Sequence, residues 1–373
     1  QFNSTTLYNQ QAPEVVGLKD GNFAVVWQSD TDGTETYDII ARLFDREGDA
    51  ITDEIIINEI TLGEQTKPSI ATSSSDEIVI AWQTNETGVN EVLYQTLDFD
   101  GRLKSGNKKL SIDDNGDFVG GEDVTLTTSE DGHIVAAWDD QTGNIYAKNI
   151  NENTETEINS ALLTVSTAAE GASDRTSIAA LPSGGFVSVW HEGGGKDGDG
   201  QGVFGRIIDE NYNRSGEEFL INTLTTSHQS KAFVASLSDG TFMVVWSGGD
   251  GSSQGQVFSS SAVKIGEQFE IGPWFNQEAY IIGTADNKFM VVRGQNNQDS
   301  GILSVYDATG NLLIDDVALT TAGKNLEIRI AEVGDNRFVA SWFDSNNSVG
   351  SEIYGRIIDG SGESISADLQ FNS

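Results

Sequence analysis

One phrase recurs seven times along this chain, and nothing else in the sequence limits its fold as much. It runs Pro-Glu-Val-Val-Gly-Leu, Lys-Asp-Gly-Asn, Phe-Ala-Val-Val-Trp from Pro13 to Trp27, and versions of it end at Trp82, Trp138, Trp190, Trp246 and Trp342. A seventh copy, Lys-Phe-Met-Val-Val-Arg, ends at Arg293 where the tryptophan is due. The steps between these positions are 55, 56, 52, 56, 47 and 49 residues. A strand-rich period of roughly 40–50 residues or slightly more is that of a propeller or β-array. Each unit is too small to bury a core alone and must stack on its neighbours.

Four strand signals fill each unit. In the first, residues 13–18 form an apolar strand, Asp20-Gly21 a hairpin turn of the kind needing positive φ, and residues 23–27 a second strand with a buried aromatic end. Residues 39–45 alternate as a third strand and residues 54–58 supply the fourth. No segment has a helical period. Seven such units predict an all-β, seven-bladed propeller of four-stranded antiparallel blades. The units span approximately 7–65, 66–120, 121–172, 173–229, 230–276, 277–325 and 326–373 of a single domain. The six tryptophans in register are then packing between blades. Either terminus offers a fourth strand to seal the ring, because Gln-Phe-Asn-Ser occurs at 1–4 and again at 370–373. That duplication marks the chain as a segment of a longer one, with neighbouring domains in the same polypeptide.

Charge narrows the partners. With 21 basic and 58 acidic residues the net charge is −37, which excludes nucleic acid, whose phosphates need Lys/Arg clusters, and argues against anionic lipid. No apolar run approaches the ~20 residues of a membrane helix, so no membrane insertion is expected. The chain has no cysteine, which removes disulfides, thiolate metal sites and cysteine catalysis.

The full phrase runs Asp-Gly-x-Phe-x-Val-Val-Trp, then a Gly/Asp-rich loop, then Ile-Tyr-Gly-Arg-x-x-Asp, then Glu-x-x-Ile-Asn-x-x-Thr-x-x-x-Gln. Its elements stand at 20–27, 39–45, 353–359 and 218–229. This resembles the repeats of very large secreted bacterial proteins of the RTX adhesin and haemolysin-type calcium-binding kind. Units two, three, five and six depart from it, lacking the third-strand Arg or, at Arg293, the Trp. The resemblance implies an extracellular or cell-surface location, reliance on calcium, and modules that bind sugars or proteins on host, algal or biofilm surfaces.

Candidate sites fall on the loops joining strand two to three and strand four to the next strand one, which share one face of a propeller and are long and divergent here. Asp30, Asp32, Thr34 and Asp38 stand at relative positions 1, 3, 5 and 9 around Gly33, a spacing able to wrap hard oxygens about calcium. Asp197 and Asp199 offer a similar pair, and residues 113–117 a third acidic turn. The alternative for each is a solvated turn, rich in Asp and Gly for conformational reasons. Trp274 and Phe275 lie off register in a connecting loop just ahead of Arg293. They could stack on a sugar ring while Arg293 donates hydrogen bonds, or Trp274 could fill the space of the missing tryptophan. His191 and His228 lie on ligand-side loops of the fourth unit.

The sequence contains no HExxH, Gly-x-Ser-x-Gly or phosphate loop, and no carboxylate pair stands out among so many. The expectation is therefore a monomeric, non-catalytic adhesin module that binds a surface glycan or protein, with calcium ordering its loops. A propeller glycoside hydrolase or polysaccharide lyase is the alternative, and a spacer that binds nothing is a third.

Overall fold

The computed structural model describes residues 9–30, 33, 36–104, 106–113, 115–140, 142–150, 162–166, 173–273, 278–295, 300–320, 325–345 and 350–372. They form seven four-stranded antiparallel sheets, each made of four consecutive strands in the order inner, second, third, outer. The fold is a seven-bladed β-propeller. No α-helix occurs among the described residues. In blade 1 the strands are Gln10–Gly17, Phe23–Asp30, Tyr37–Phe44 and Ile55–Ile56, each within a few residues of its sequence-predicted span. The inner strands of blades 2 to 7 are Gln65–Thr72, Glu122–Thr128, Ser173–Ala180, Ser230–Ser236, Tyr280–Gly283 and Asn325–Gly334. Asp20 and Gly21 take φ of 62° and 81° at the first hairpin, the positive values that such a turn requires.

The chain divides into two compact units: Gln1–Lys109 with Val292–Leu303 and Ile314–Ser373, and Leu110–Val291 with Ser304–Leu313. In both, the repeat phrase is explained by burial. Trp27, Trp82, Trp138, Trp190 and Trp246 are at most 1% exposed. In the first unit Trp27 packs with Val339, Phe343 and Ile353 of blade 7, and Trp82 with Ala24 and Val26 of blade 1. In the second, Trp190 packs with Val135 and Ala137 of blade 3, and Trp246 with Val187 and Val189 of blade 4. Each tryptophan thus joins its blade to the preceding one, as the register implied. Burial of a side chain of this size is worth several kcal/mol.

The polar letters of the phrase are structural too. The closing Gln receives the indole N–H: Trp27 Nε1 donates to Gln10 at 2.9 Å and Trp82 Nε1 to Gln65 at 2.8 Å. The Asn of Ile-Asn accepts from the third strand: Ile39 N to Asn58 at 2.7 Å, Val203 N to Asn222 at 2.8 Å and Ile353 N to Asn372 at 2.9 Å. It thereby satisfies a donor just where the short outer strand runs out. The Asp ending the third strand organises the next hairpin. Asp45, for example, accepts from the backbone of Glu47 at 3.1 Å and of Asp49 at 2.8 Å, an Asx turn.

The last blade ends in chain order. Leu369–Gln370 is its outer strand, and Phe371 is fully buried. Blade 7 meets blade 1 side by side. Ser351 Oγ accepts from Gln10 N at 3.0 Å, and Arg329 Nε donates to Glu14 Oε1 at 2.6 Å. Burial pushes the Glu14 carboxyl above its ordinary value despite the Arg329 guanidinium.

Candidate functional site

The inner strands are interrupted. A register shift breaks the pairing of inner and second strands in six blades, between Gln11 and Glu14, Thr66 and Ser69, Ala137 and Asp139, Asp174 and Ser177, Ser230 and Phe233, and Leu326 and Arg329. At each bulge one residue is forced left-handed: Ala12 (φ 50°), Lys67 (53°), Asp123 (47°), Arg175 (55°), Lys231 (56°) and Glu327 (53°). Each stands fifteen residues ahead of its register aromatic, and the same position in blade 6 is Glu278. None is glycine, although left-handed backbone costs an L-residue about 1–2 kcal/mol. Six of these seven residues carry a charge, and backbone strain kept alongside charged side chains is a mark of function. Pro13 and Pro68 follow two of the bulges, where a missing N–H is tolerated.

In the second unit four of these positions, from blades 3 to 6, converge. Arg175 Nη1 is ion-paired with Glu278 Oε1, and Lys231 Nζ lies 3.6 Å from the same oxygen. The Glu278 side chain is only 8% exposed, whereas Arg175 and Lys231 keep 36% and 29%. Solvent therefore meets two cations with a carboxylate beneath them. His191, near the end of the second strand of blade 4 (Phe186–Glu192), is 4% exposed. Burial foremost, then Arg175 and Lys231 against the opposing pull of Asp123, lowers its pKa to about 4. The imidazole is neutral at ordinary pH. Two carboxylates, two cations and a neutral imidazole thus gather in a molecule otherwise dominated by negative charge. Such a group can hold an anionic substituent and move a proton. Asp123, Arg175, Lys231 and Glu278 were not singled out from the sequence. Comparing the seven repeats fifteen residues ahead of the register aromatic would have found them.

Asp30 accepts from Gly33 N at 2.7 Å and Asp38 from Asn58 Nδ2 at 2.7 Å, while Asp32 and Thr34 lie outside the described residues. Asp197 accepts from Asn222 Nδ2 at 2.9 Å and Asp199 from Ser227 N at 3.1 Å, so this pair ties its loop to the next connection. Asp113 accepts from the backbone of Asn115 at 2.9 Å and Asp117 at 2.8 Å, the same Asx turn that closes the hairpins. Among the described residues no group of three His, Asp or Glu side chains is placed to hold a metal ion. Trp274 and Phe275 also lie outside the described residues. Arg293 is 3% exposed and donates from Nη2 to Asp316 at 2.7 Å, and its Nε and Nη1 have no partner among the described residues. His228 is exposed on the blade 4–5 connection, apart from the burial that governs His191.

No protein-family model matches the chain, and no curated protein matches it. Solved structures match by fold. A protein of unknown function from Dyadobacter fermentans DSM 18053 superposes with TM-score 0.59 at 10% identity, over 95% of each chain. The polysaccharide lyase Uly1 matches with TM-score 0.57 at 10% identity, over 96% of this chain and 91% of that one. The Hadza microbial sialidase Hz136 matches with TM-score 0.54 at 10% identity, over 94% of this chain and 66% of that one. At such identity the likeness is one of fold. It nevertheless corrects the non-catalytic expectation. That reading leaned on missing motifs, and proteins named as enzymes share this scaffold. The physical reason is that carboxylates, arginines and histidines set on separate blades leave no contiguous motif.

Proposed function

We propose that this propeller breaks a glycosidic bond in an acidic, uronate-bearing polysaccharide, at the starts of the inner strands of blades 3 to 6. The observation that carries the reading is the Arg175, Lys231 and Glu278 group beside neutral His191 and Asp123. Arg175 and Lys231 would take the substrate carboxylate. Neutralising it acidifies the adjacent C–H and stabilises the charge that develops when that proton leaves. His191 or Glu278 would accept the proton, and the glycosidic oxygen β to the new carbanion would leave with its electron pair and be protonated. A new C=C conjugated to the carboxylate results. The kinship of fold with a named polysaccharide lyase and a named sialidase supports a carbohydrate substrate. An extracellular setting, which the repeat resemblance implied, belongs to the same proposal.

The test is a panel of uronate-containing and neutral polysaccharides, read for reducing ends and for the ultraviolet absorbance of an unsaturated uronate. Both signals with an acidic polymer, lost in Arg175→Ala and Glu278→Gln, are expected. Reducing ends without absorbance would turn the chemistry to hydrolysis, with Asp123 and Glu278 as the carboxylate pair. Neither signal with any polymer would overturn the enzymatic reading.

A further inference from the structure

The tetrapeptide Gln-Phe-Asn-Ser stands at 1–4 and again at 370–373, and the fold gives the second copy a defined task. Gln370 lies opposite Tyr354 in the outer strand of blade 7. The Phe371 ring is fully buried, its centroid 4.9 Å from that of Phe44 and 5.8 Å from that of Phe23. Gly355 leaves the room it takes, since a Cβ there would run into the ring. Arg42 Nη1 donates to Phe371 O at 3.1 Å, and Asn372 accepts from Ile353 N at 2.9 Å. The seat at the edge of blade 7 is thus shaped for a phenyl ring followed by an asparagine.

The first copy is in register for the same seat. Asn58 and Asn222 stand seven residues ahead of Gln65 and Gln229, which lead into the inner strands of blades 2 and 5. Asn3 stands seven ahead of Gln10, where the inner strand of blade 1 begins. Blade 7 lies beside that strand, for Gln10 N also donates to Ser351 O at 3.1 Å. The step from outer strand to next inner strand therefore has the same length from Asn3 as elsewhere in the repeat. One defect favours exchange. Asn58 Nδ2 donates to Ile60 O and Asn222 Nδ2 to Leu224 O, each at 3.0 Å, the carbonyl two residues on. Asn372 is 4% exposed, and its Nδ2 has no partner among the described residues. A buried amide donor in that state is destabilising. Thr5 holds the corresponding place after Asn3.

We infer that residues 1–5 and 369–373 are alternative closing strands of blade 7, and that the N-terminal segment takes the seat when the C-terminal one leaves it. Phe2 then fills the space of Phe371, Asn3 accepts from Ile353 N, and Thr5 O accepts from the Asn3 amide. Both segments belong to the same compact unit. Exchange breaks only a two-residue ladder, and so short an edge strand is among the parts of a fold that open most readily. Either end of the chain can close the blade, and the other is left free. This stands apart from the cleavage reading, which concerns blades 3 to 6.

Urea denaturation of the 373-residue chain with Phe2→Ala, Phe371→Ala and both reads the exchange as non-additivity. Each phenylalanine covers for the other, so each single replacement should move the midpoint little. The double one should move it at least about twice as far as the two singles together. Additive shifts, with Phe371→Ala alone accounting for the loss, overturn the inference. A second measurement traps the exchanged state. The sequence has no cysteine, so Gln1→Cys with Tyr354→Cys in Phe371→Ala protein offers one disulfide, which needs Gln1 in the place of Gln370. Oxidation, proteolysis and mass spectrometry should find it at a yield comparable to that of the Gln370→Cys with Tyr354→Cys control. A Gln1 crosslink below about a tenth of the control's yield overturns the inference, whatever the midpoints show.

Discussion

Replacing Ala12 by glycine tests whether the bulges store strain. In a strand, Ala→Gly ordinarily destabilises by about 0.5–1 kcal/mol, because glycine gives the unfolded chain more freedom to lose. Ala12 sits at φ 50°, where an L-residue is held at a cost of about 1–2 kcal/mol. Pro13 follows it, narrowing its choices further. Glycine removes the strain and incurs only the entropy, so Ala12→Gly should be neutral to stabilising, by up to about 1.5 kcal/mol. Ala71, 4% exposed in the inner strand of blade 2, is the control. There glycine costs the entropy plus a buried methyl, about 1.5 kcal/mol lost in all. Urea denaturation reads both as shifts of the midpoint at constant slope. If Ala12→Gly loses as much as Ala71→Gly, the bulges hold no strain and the argument from strain to function falls. The same substitution at Arg175 should go the other way. It strips Glu278, 8% exposed, of its nearest cation. Breaking such a pair costs about 3–5 kcal/mol, reduced here by Lys231 and by solvent at Arg175 but still more than the strain relieved.

Gln65→Ala should destabilise by about 1–3 kcal/mol in the same assay, since it orphans the buried Trp82 indole N–H. Arg293→Met should raise the urea midpoint, because Nε and Nη1 of Arg293 are buried without partners among the described residues and the abandoned Asp316 is 43% exposed. His191 should remain neutral in an NMR titration until pH approaches about 4. Its folded pKa lies below the unfolded value of about 6.5. The unfolded chain therefore binds the extra proton first, and stability falls as pH drops from 6.5 through 4, by about 3 kcal/mol at most. Asp307 is opposed by burial, but the Asn311 and Thr309 side chains and backbone outweigh it and hold its pKa at about 2. Its stabilisation is full above the unfolded carboxylate range and lost as pH falls through 2. Asp307→Ala should flatten the acid limb of the stability profile there.

The fold was legible because its signal is redundant. Seven copies of a strand-turn-strand phrase ending in a buried aromatic leave few architectures, and the position of Trp27 alone predicts the inter-blade packing found for Trp82, Trp190 and Trp246. The charged group was not legible, for the opposite reason. Arg175 and Lys231 are single letters in a strand start, and the left-handed backbone that exposes them has no fixed residue type. Loops rich in Asp and Gly drew attention instead. Asp113 and Asp199 each accept from backbone N–H groups, and a carboxylate that holds a loop in this way has the same sequence spacing as one that could ligate an ion. Trp246 is a third case: Gln229 stands seventeen residues ahead of it, as Gln10 does of Trp27, yet Gln229 bonds Thr226 and Asn222 and leaves the indole N–H without a partner among the described residues.

Among the described residues every blade is completed by its own stretch of chain, the first and last blades meet through side chains such as Glu14 and Arg329, and no sheet is stitched from both ends. New termini opened between two blades, with Asn9 and Asn372 joined by a linker, would cut no hydrogen-bonded ladder among the described residues. The order of the repeats along the gene is therefore free to rotate while the protein stays the same, which makes this scaffold a natural substrate for circular permutation and for exchange of single blades.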